Sequence, residues 1–540
     1  MMTHSISGQT IGRTAQTTMG MPVVSCPGNA FVTRVRLMDG RVDETWSTGR
    51  MVRNMGFLLR GELDVRGRPR FVTQPHCLCN DGHALAAIKA IEDLAGVTLP
   101  RSAVLVRRLV QSMRCIQEHL LHFYQFHIAD WVNVNAALRA DPAKAAHLDS
   151  PKGKKNADFS IVREQIRALA KLSAGKTPEA GYRGPDELHL LLYGHALQAI
   201  KAGQSLQAAL GILGCGSKGF QAYRLGGLPD DLDLGKEALK GLRASLAACR
   251  GFITEVFPSD LTRLARVYGS WAERGRGNAF LTWCDSEIGR LIVSDAKGVS
   301  WRFSLSDAAA VREESEPGWS NWDRHRYRLS ADREAPSFQW EQKDSYWLPA
   351  PRHGDIACEV GPLARVLGGW LSGRSPIMRA LSVALDGCAL SMEAMNSTLG
   401  RVLSRGIESV ALMESMSGWV DELESVLARD DRRAATFSMP ASGIGVGHVE
   451  VPRGVLTHTI TWDGGRIVNH DYLIPSLWNF SPRDPFGGAG PLERALTGTP
   501  VAAPDHPVEI LRTLHQLDPC NVCHVVVEDH DTGRTFLATT

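Results

Sequence analysis

The sequence predicts an α+β protein, with a long-helix bundle core and small flanking β-sheets. Three observations carry that prediction. Apolar residues recur at three- and four-residue steps through the middle of the chain. Alternating segments joined by Asp-Gly turns stand near residue 40 and again near residue 464. A length of 540 residues with 44% hydrophobic and 22% charged side chains is enough for a large buried core. Those proportions exclude collagen, coiled coil and disorder as overall classes. Lys and Arg number 60 and Asp and Glu 58, a formal charge of +2, so no general attraction to nucleic acid or anionic lipid is expected.

The elements follow in order. Residues 1–30 form an N-terminal extension, a candidate for disorder, and 31–540 a single large domain. Phe31 to Leu37 alternates, Asp39-Gly40 supplies a turn, and Val42 to Trp46 returns. A helix is expected over Ala84–Leu94, its first turn just after His83. Residues 102–140 form one long helix or two; Leu105, Leu109, Met113, Ile116, Leu120, Phe123 and Phe126 make a core stripe. Glu118, His119, His122 and His127 share that stretch and are less easily assigned to packing. A basic loop at 149–159 precedes helices at 160–173, 186–209 and 235–255. Residues 296–347 are Trp-rich and charged, with little periodicity. Helices resume at about 360–371 and 375–430, the second broken at Asp386-Gly387. A second hairpin runs Val455–Trp462, Asp463-Gly464, Ile467–Ile474, and a last helix at about 506–515 leads into Asp518-Pro519-Cys520.

No stretch reads as a membrane span; the best, Leu188–Ile200, is short and holds two His. The N-terminus lacks the apolar core of a secretory signal. The 11 cysteines are mostly scattered, which favours reduced thiols over a disulfide framework. Two clusters stand out, Cys77/Cys79 and Cys520/Cys523. Two thiolate pairs from distant loops can build a four-sulfur site for nickel, zinc, copper or an iron–sulfur centre. Alone, the Cys520–Cys523 spacing also suits a redox pair or half a zinc site.

The surrounding residues narrow the choice. Leu511–Cys523 reads LRTLHQLDPCNVC and closely resembles the C-terminal motif of nickel–iron hydrogenase large subunits. GIGVGHVEVPRGVLTH (443–458), IPSLWNFSPRD (474–484), VGPLARVL (360–367), NSTLGR (396–401), HLLHFYQFHIADW (119–131) and HALAAIKAIE (83–92) resemble further family blocks, in family order. The match is weakest over 150–345. The resemblance implies the large-subunit fold and a nickel ion on four Cys thiolates, two bridging to an iron that carries carbon monoxide and cyanide. By this likeness Cys520 and Cys523 are the C-terminal pair and Cys79 the second N-terminal ligand. The first N-terminal Cys is replaced by His76, the intervening Gly by Cys77 and the preceding Arg by Gln74. Either His76 or Cys77 could ligate, or neither.

The resemblance assigns further roles. Arg453 is the guanidinium over the open metal position, supported by Asp518 and by Glu118, where the family has Asp. Pro452 and Ser476 line the iron's diatomic ligands, and His83 hydrogen-bonds a cysteine sulfur. Cys523 and nearby His are candidates for moving protons, because Pro27 replaces the family's relay Glu. Val526 and Gly56 replace two ligands of the family's C-terminal magnesium site, so no magnesium is expected there. The tail, 524–540, is expected as a permanent hairpin turned at Asp531-Thr532-Gly533; the alternative is removal by the maturation endopeptidase.

Heterolytic cleavage or formation of dihydrogen is the implied activity, with electrons passing to an iron–sulfur small subunit and maturation proteins inserting the metals. The chain is expected in the cytoplasm, or at a membrane through a partner. Two alternatives stand beside it. One is a catalytically inactive relative serving as assembly scaffold, sensor-like subunit or structural subunit of a redox complex. The other is a structural zinc site from His76, Cys79, Cys520 and Cys523.

Overall fold

The computed structural model describes residues 16–18, 30–50, 60–61, 80–149, 157–172, 179–215, 223–283, 289–295, 298–305, 311–317, 326–328, 347–353, 356–429, 432–483, 488–520 and 522–539. His76, Cys77 and Cys79 lie outside them, as do Pro27 and Gly56.

The strands are β1 (Gln16–Thr18), β2 (Ala30–Met38), β3 (Arg41–Arg50), β4 (Ala279–Thr282), β5 (Gly289–Asp295), β6 (Gly298–Leu305), β7 (Val311–Pro317), β8 (Arg326–Arg328), β9 (Trp347–His353), β10 (Ser442–Val451), β11 (Gly454–Asp463), β12 (Arg466–Leu473), β13 (Val522–Asp529) and β14 (Arg534–Thr539). The first hairpin forms where alternation and turn place it. Asp39 and Gly40 both take the left-handed conformation, φ 51° and 65°, which matches the twist of two paired strands.

The N-terminal hairpin and the C-terminal tail share one sheet, while β10-β11-β12 forms a sheet of its own. β13 pairs in parallel with β2, with Cys523 opposite Phe31, and the order is β1-β14-β13-β2-β3. An exposed β2 edge would carry unpaired backbone groups; the C-terminal strand satisfies them. Val525 and Val527 are fully buried there. The tail is thus a hairpin whose second strand is hydrogen-bonded on both sides, to β13 and to β1.

Other boundaries shift for physical reasons. The first helix begins at Asn80, not Ala84, so His83 lies inside it. Asn, Asp and Gly look like a loop, but Asp81 sits at the positive end of the helix dipole and accepts from Gly82 N. Gly82 is required by close approach: a Cβ there would lie 2.3 Å from Val451 Cγ1. The 102–140 stretch is divided. A helix at Arg101–Leu121 passes through a π turn, His122–Phe126, to Ile128–Asp130 and a short helix at Val134–Arg139. The 375–430 stretch ends one helix at Cys388, where Ala389 is left-handed (φ 54°), and restarts as Thr398–Arg429. The long helices Arg101–Leu121 and Thr398–Arg429 pack on each other at the centre.

The weakly periodic 296–347 region contributes strands β6 to β8 and the start of β9, which periodicity did not foretell. β7 reads VREESEP, charged along its length, so the two-residue alternation of a half-buried strand is missing. Among the described residues no helix is long and apolar enough to cross a membrane.

Candidate metal centre

Two glycines bring the first helix onto the sheet that presents the site. A Cβ at Gly445 would lie 1.9 Å from Ala90 O, and one at Gly447 2.0 Å from Ala86 O. The helix Asn80–Leu94 therefore lies directly on β10, with its first turn against Val451. Cys79 directly precedes that helix in sequence. Pro452 and Arg453 form the tight turn from β10 to β11, with Val451 opposite Gly454.

Arg453 is 2% exposed and pinned from two sides. Its Nε is 3.0 Å from Asp518 Oδ1, and both terminal nitrogens donate to Glu118 Oε2 at 3.3 Å. Glu118 comes from the helix Arg101–Leu121, Asp518 from the turn after the helix Val508–Gln516. Asp518 is itself left-handed, φ 55°, a conformation Asp tolerates better than most side chains. That turn delivers Cys520 to the same place. Cys520 N donates to Ser476 Oγ at 3.0 Å, and Ser476 Oγ–H donates to Cys520 Sγ at 3.2 Å. Cys520 is 5% exposed and Cys523 fully buried, and neither is in a disulfide.

The charges respond to this packing. Burial pushes the Glu118 carboxyl up from its ordinary value, while Arg453 pulls it down. Burial would raise Asp518 too, but Arg453 and Arg405 together outweigh it and hold that carboxyl below the usual range. Burial raises the Cys520 thiol; Ser476 and Arg453 oppose it. A metal cation binding the sulfurs would replace that missing stabilisation of thiolate.

Behind Arg453 lies a charged network whose Arg365, Arg405 and Glu408 the sequence did not single out. Arg405 Nη1 donates to Asp518 Oδ2 at 3.1 Å and to His119 Nδ1 at 3.4 Å. His119 Nε2 is 2.7 Å from Glu408 Oε2; burial lowers His119 to about 4, so it is neutral and its Nε2–H is the donor. Arg365 grips Glu408 through Nε and Nη2, at 2.5 and 2.8 Å. It also donates to Val451 O and Pro452 O, at 3.0 and 2.9 Å. Arg365 thereby fixes the backbone of the turn whose side chain Asp518 and Glu118 fix. Arg365 and Arg405 both lie in or beside the VGPLARVL and NSTLGR blocks. Those blocks were the available signal, but no local pattern shows which carboxylate an Arg will meet.

Two groups of three buried donors have ligand atoms within 4.8 Å of one another: Cys115, His119 and Glu408, and His127, Asp130 and His515. The Arg365 guanidinium caps the first, which opposes a cation there. In the second, His515 Nδ1 is 2.7 Å from Asp130 Oδ2, and His127 stacks on His515 with centroids 4.0 Å apart. His83 Nδ1 lies 2.9 Å from His458 Nε2. Val526 stands mid-strand in β13, opposite Arg34 and Leu537.

The structure thus brings together Arg453, Glu118, Asp518, Pro452, Ser476 and Cys520. Cys523 follows at the start of β13. The described sulfur donors fit half of a soft-metal site: reduced, buried, and beside a hydroxyl donor and a guanidinium that favour anionic sulfur.

Known proteins resemble this chain over most of its length. Residues 55–526 match the family model of the nickel-dependent hydrogenases. The Hydrogenase-2 large chain of Escherichia coli (strain K12) is 30% identical, over 91% of this chain and 94% of that protein. The uptake hydrogenase large subunit of Rhodobacter capsulatus is 28% identical over 97% of both chains. Among solved structures, the Ni-Fe-Se hydrogenase of Desulfovibrio vulgaris Hildenborough superposes with a TM-score of 0.69 at 21% identity, over 92% of this chain and 100% of that one. The reduced Ni-Fe-Se hydrogenase of Desulfomicrobium baculatum gives 0.69 at 23% identity, over 90% and 95%. These two likenesses concern the fold.

Proposed function

The chain belongs to the nickel-dependent hydrogenase large subunits, oxidoreductases that act on hydrogen, and from that premise we propose that Cys520, Cys523 and Cys79 hold a nickel–iron centre beneath Arg453, the fourth donor coming from His76 or Cys77. The observation that carries this is the convergence of Arg453, Asp518, Glu118, Ser476 and Cys520 from four separate segments on one buried place. A buried guanidinium held by two carboxylates beside two buried cysteines is the kind of charge cluster that functional sites carry.

When bound, a nickel–iron centre carrying cyanide and carbon monoxide supplies the Lewis acidity and electron acceptance that heterolytic cleavage of dihydrogen needs. The chain's own residues supply the rest. Asp518 and Glu118 hold the Arg453 guanidinium so that it need not reorganise, and burial makes its field stronger than it would be in water. Ser476 holds the Cys520 sulfur in place and favours its thiolate form. Cys523 Sγ takes the proton in this scheme, and Pro452 gives the pocket an apolar wall. Electrons leave through an iron–sulfur small subunit, and maturation proteins load the metals. In this reading the tail stays attached, and the pairing of β14 with both β13 and β1 supports that.

Purification of the chain with its small subunit, followed by nickel and iron analysis, infrared spectroscopy and hydrogen-dependent dye reduction, tests this. Both metals, cyanide and carbon monoxide bands, and activity are expected. Zinc alone, or neither metal with intact fold, would leave only the inherited shape.

A further inference from the structure

Three histidines make a linear chain beside this site. His83 lies in the first turn of the helix Asn80–Leu94, His458 on β11 and His470 on β12. His83 Nδ1 is 2.9 Å from His458 Nε2, and His458 Nδ1 is 2.7 Å from His470 Nε2. His458 is 1% exposed and His470 0%. Tyr472 stacks on His458 and meets His83 edge-on, with centroids 5.6 and 5.5 Å away, which holds both rings in orientation. Burial pushes His458 well below its ordinary value and His470 down to about 3, so both are neutral near pH 7.

A count of protons sets the direction of the chain. With His83 neutral as well, the three imidazoles carry three ring protons. Each of the two contacts takes one, since two facing lone pairs or two facing N–H groups would repel. The third proton must sit at one end, on His470 Nδ1 or on His83 Nε2. His470 Nδ1 is buried and has no hydrogen-bond partner. A proton there would be an unmet buried N–H, the rarer kind of defect. Placing it at the other end puts all three protons on Nε2, the intrinsically preferred imidazole tautomer. The two arrangements should differ in population by roughly tenfold to a hundredfold.

We infer that His458 and His470 are positioning residues that lock His83 as an Nε2–H donor. A donor fixed in this way, in the helical turn that follows Cys77 and Cys79, suits an anionic sulfur. That use rests on the proposed centre; the tautomer lock rests on the proton count alone. Metal ligation is commonly tuned in this way, through the hydrogen bond that sets a neighbouring imidazole's tautomer.

The test is long-range proton–nitrogen correlation NMR on the full-length chain, labelled with nitrogen-15 histidine and free of metal. The lock predicts protonated Nε2 and bare Nδ1 at His83, His458 and His470. A protonated Nδ1 at His470, or a bare Nε2 at His83, overturns it. His470→Glu sets a carboxylate acceptor against His458 Nδ1 and, at pH 8, should reverse the chain and move the His83 proton from Nε2 to Nδ1. His470→Gln, whose amide N–H can donate to His458 Nδ1, should keep the wild-type pattern. A His83 still protonated at Nε2 and bare at Nδ1 in His470→Glu would mean that His470 only fills space and would also overturn the lock. Failure of the loaded protein to carry nickel, with the nitrogen pattern intact, would count against the centre and leave the lock standing.

Discussion

Replacing Asp518 by Asn isolates the charge that holds Arg453. The two side chains have nearly the same size, and Asn tolerates the φ of 55° at this position as well as Asp does. What changes is the anion between two guanidiniums, Arg453 Nε at 3.0 Å and Arg405 Nη1 at 3.1 Å. An Asn amide can accept from one of them and must turn its NH2 toward the other. Breaking a buried ion pair by removing one partner costs about 3–5 kcal/mol. Unfolding entropy of about 2.1 cal/mol/K per residue gives ~1.1 kcal/mol/K for 540 residues, so the expected drop in Tm is about 3–4 °C. The difference has a pH signature. Asp518 is held below its ordinary value, so its contribution is present above the unfolded pKa and is lost as pH falls through the lower folded one. The gap between wild type and Asp518→Asn should be full from pH 7 to 5 and close below about pH 4. Asp518→Ala should fall further, by the roughly 1–2 kcal/mol that a left-handed Ala costs. Differential scanning fluorimetry across pH measures all three. Equal stability at pH 7, or a gap that persists unchanged to pH 3, would refute the assignment of Asp518 as the anchor of both guanidiniums.

Arg453→Lys keeps one positive charge but cannot span Asp518 and Glu118; hydrogen oxidation should fall about 10²–10³-fold with nickel content unchanged, as steady-state rates and metal analysis would show. Gly447→Ala places a methyl 2.0 Å from Ala86 O, so the first helix must lift off β10; a stability loss of about 1–3 kcal/mol with reduced metal retention is expected on denaturation and after loading. His195 should report at alkaline pH. Burial would lower it, but Asp260 and Asp149, at 2.7 and 3.0 Å, outweigh that and raise it from 6.5 to about 9. Its contribution, ~3 kcal/mol, is therefore fully present below pH 6.5 and lost as pH rises through about 9, and His195→Gln should flatten that part of the stability curve.

The fold was legible where the signal is local. Both hairpins could be read from Asp-Gly turns between alternating segments, and the helix interruption near Asp386-Gly387 lies within two residues of the observed end at Cys388. It was illegible where the determinant is distant. The start of the first helix depends on Gly82 meeting Val451, some 370 residues on, and no window of sequence shows that. The parallel pairing of β13 with β2 joins the two ends of the chain, and β7 carries charge on successive residues that hides its strand. At the site, Arg453, Asp518, Glu118, Ser476 and Cys520 were named from motif resemblance. Arg365, Arg405 and Glu408 were not, because an ion pair between helices leaves no periodic trace. The three-histidine chain escaped notice for the same reason: His83 and His470 are nearly 400 residues apart and meet only through His458.

The central claim is that sulfur atoms from both ends of the chain share one nickel. Nickel-edge X-ray absorption on the purified complex tests it most directly, comparing wild type with Cys79→Ser and with the Cys520→Ser/Cys523→Ser pair. Sulfur-dominated coordination that loses sulfur in each variant is the predicted result. A nickel signal made of nitrogen and oxygen alone, or one that neither variant alters, would contradict it.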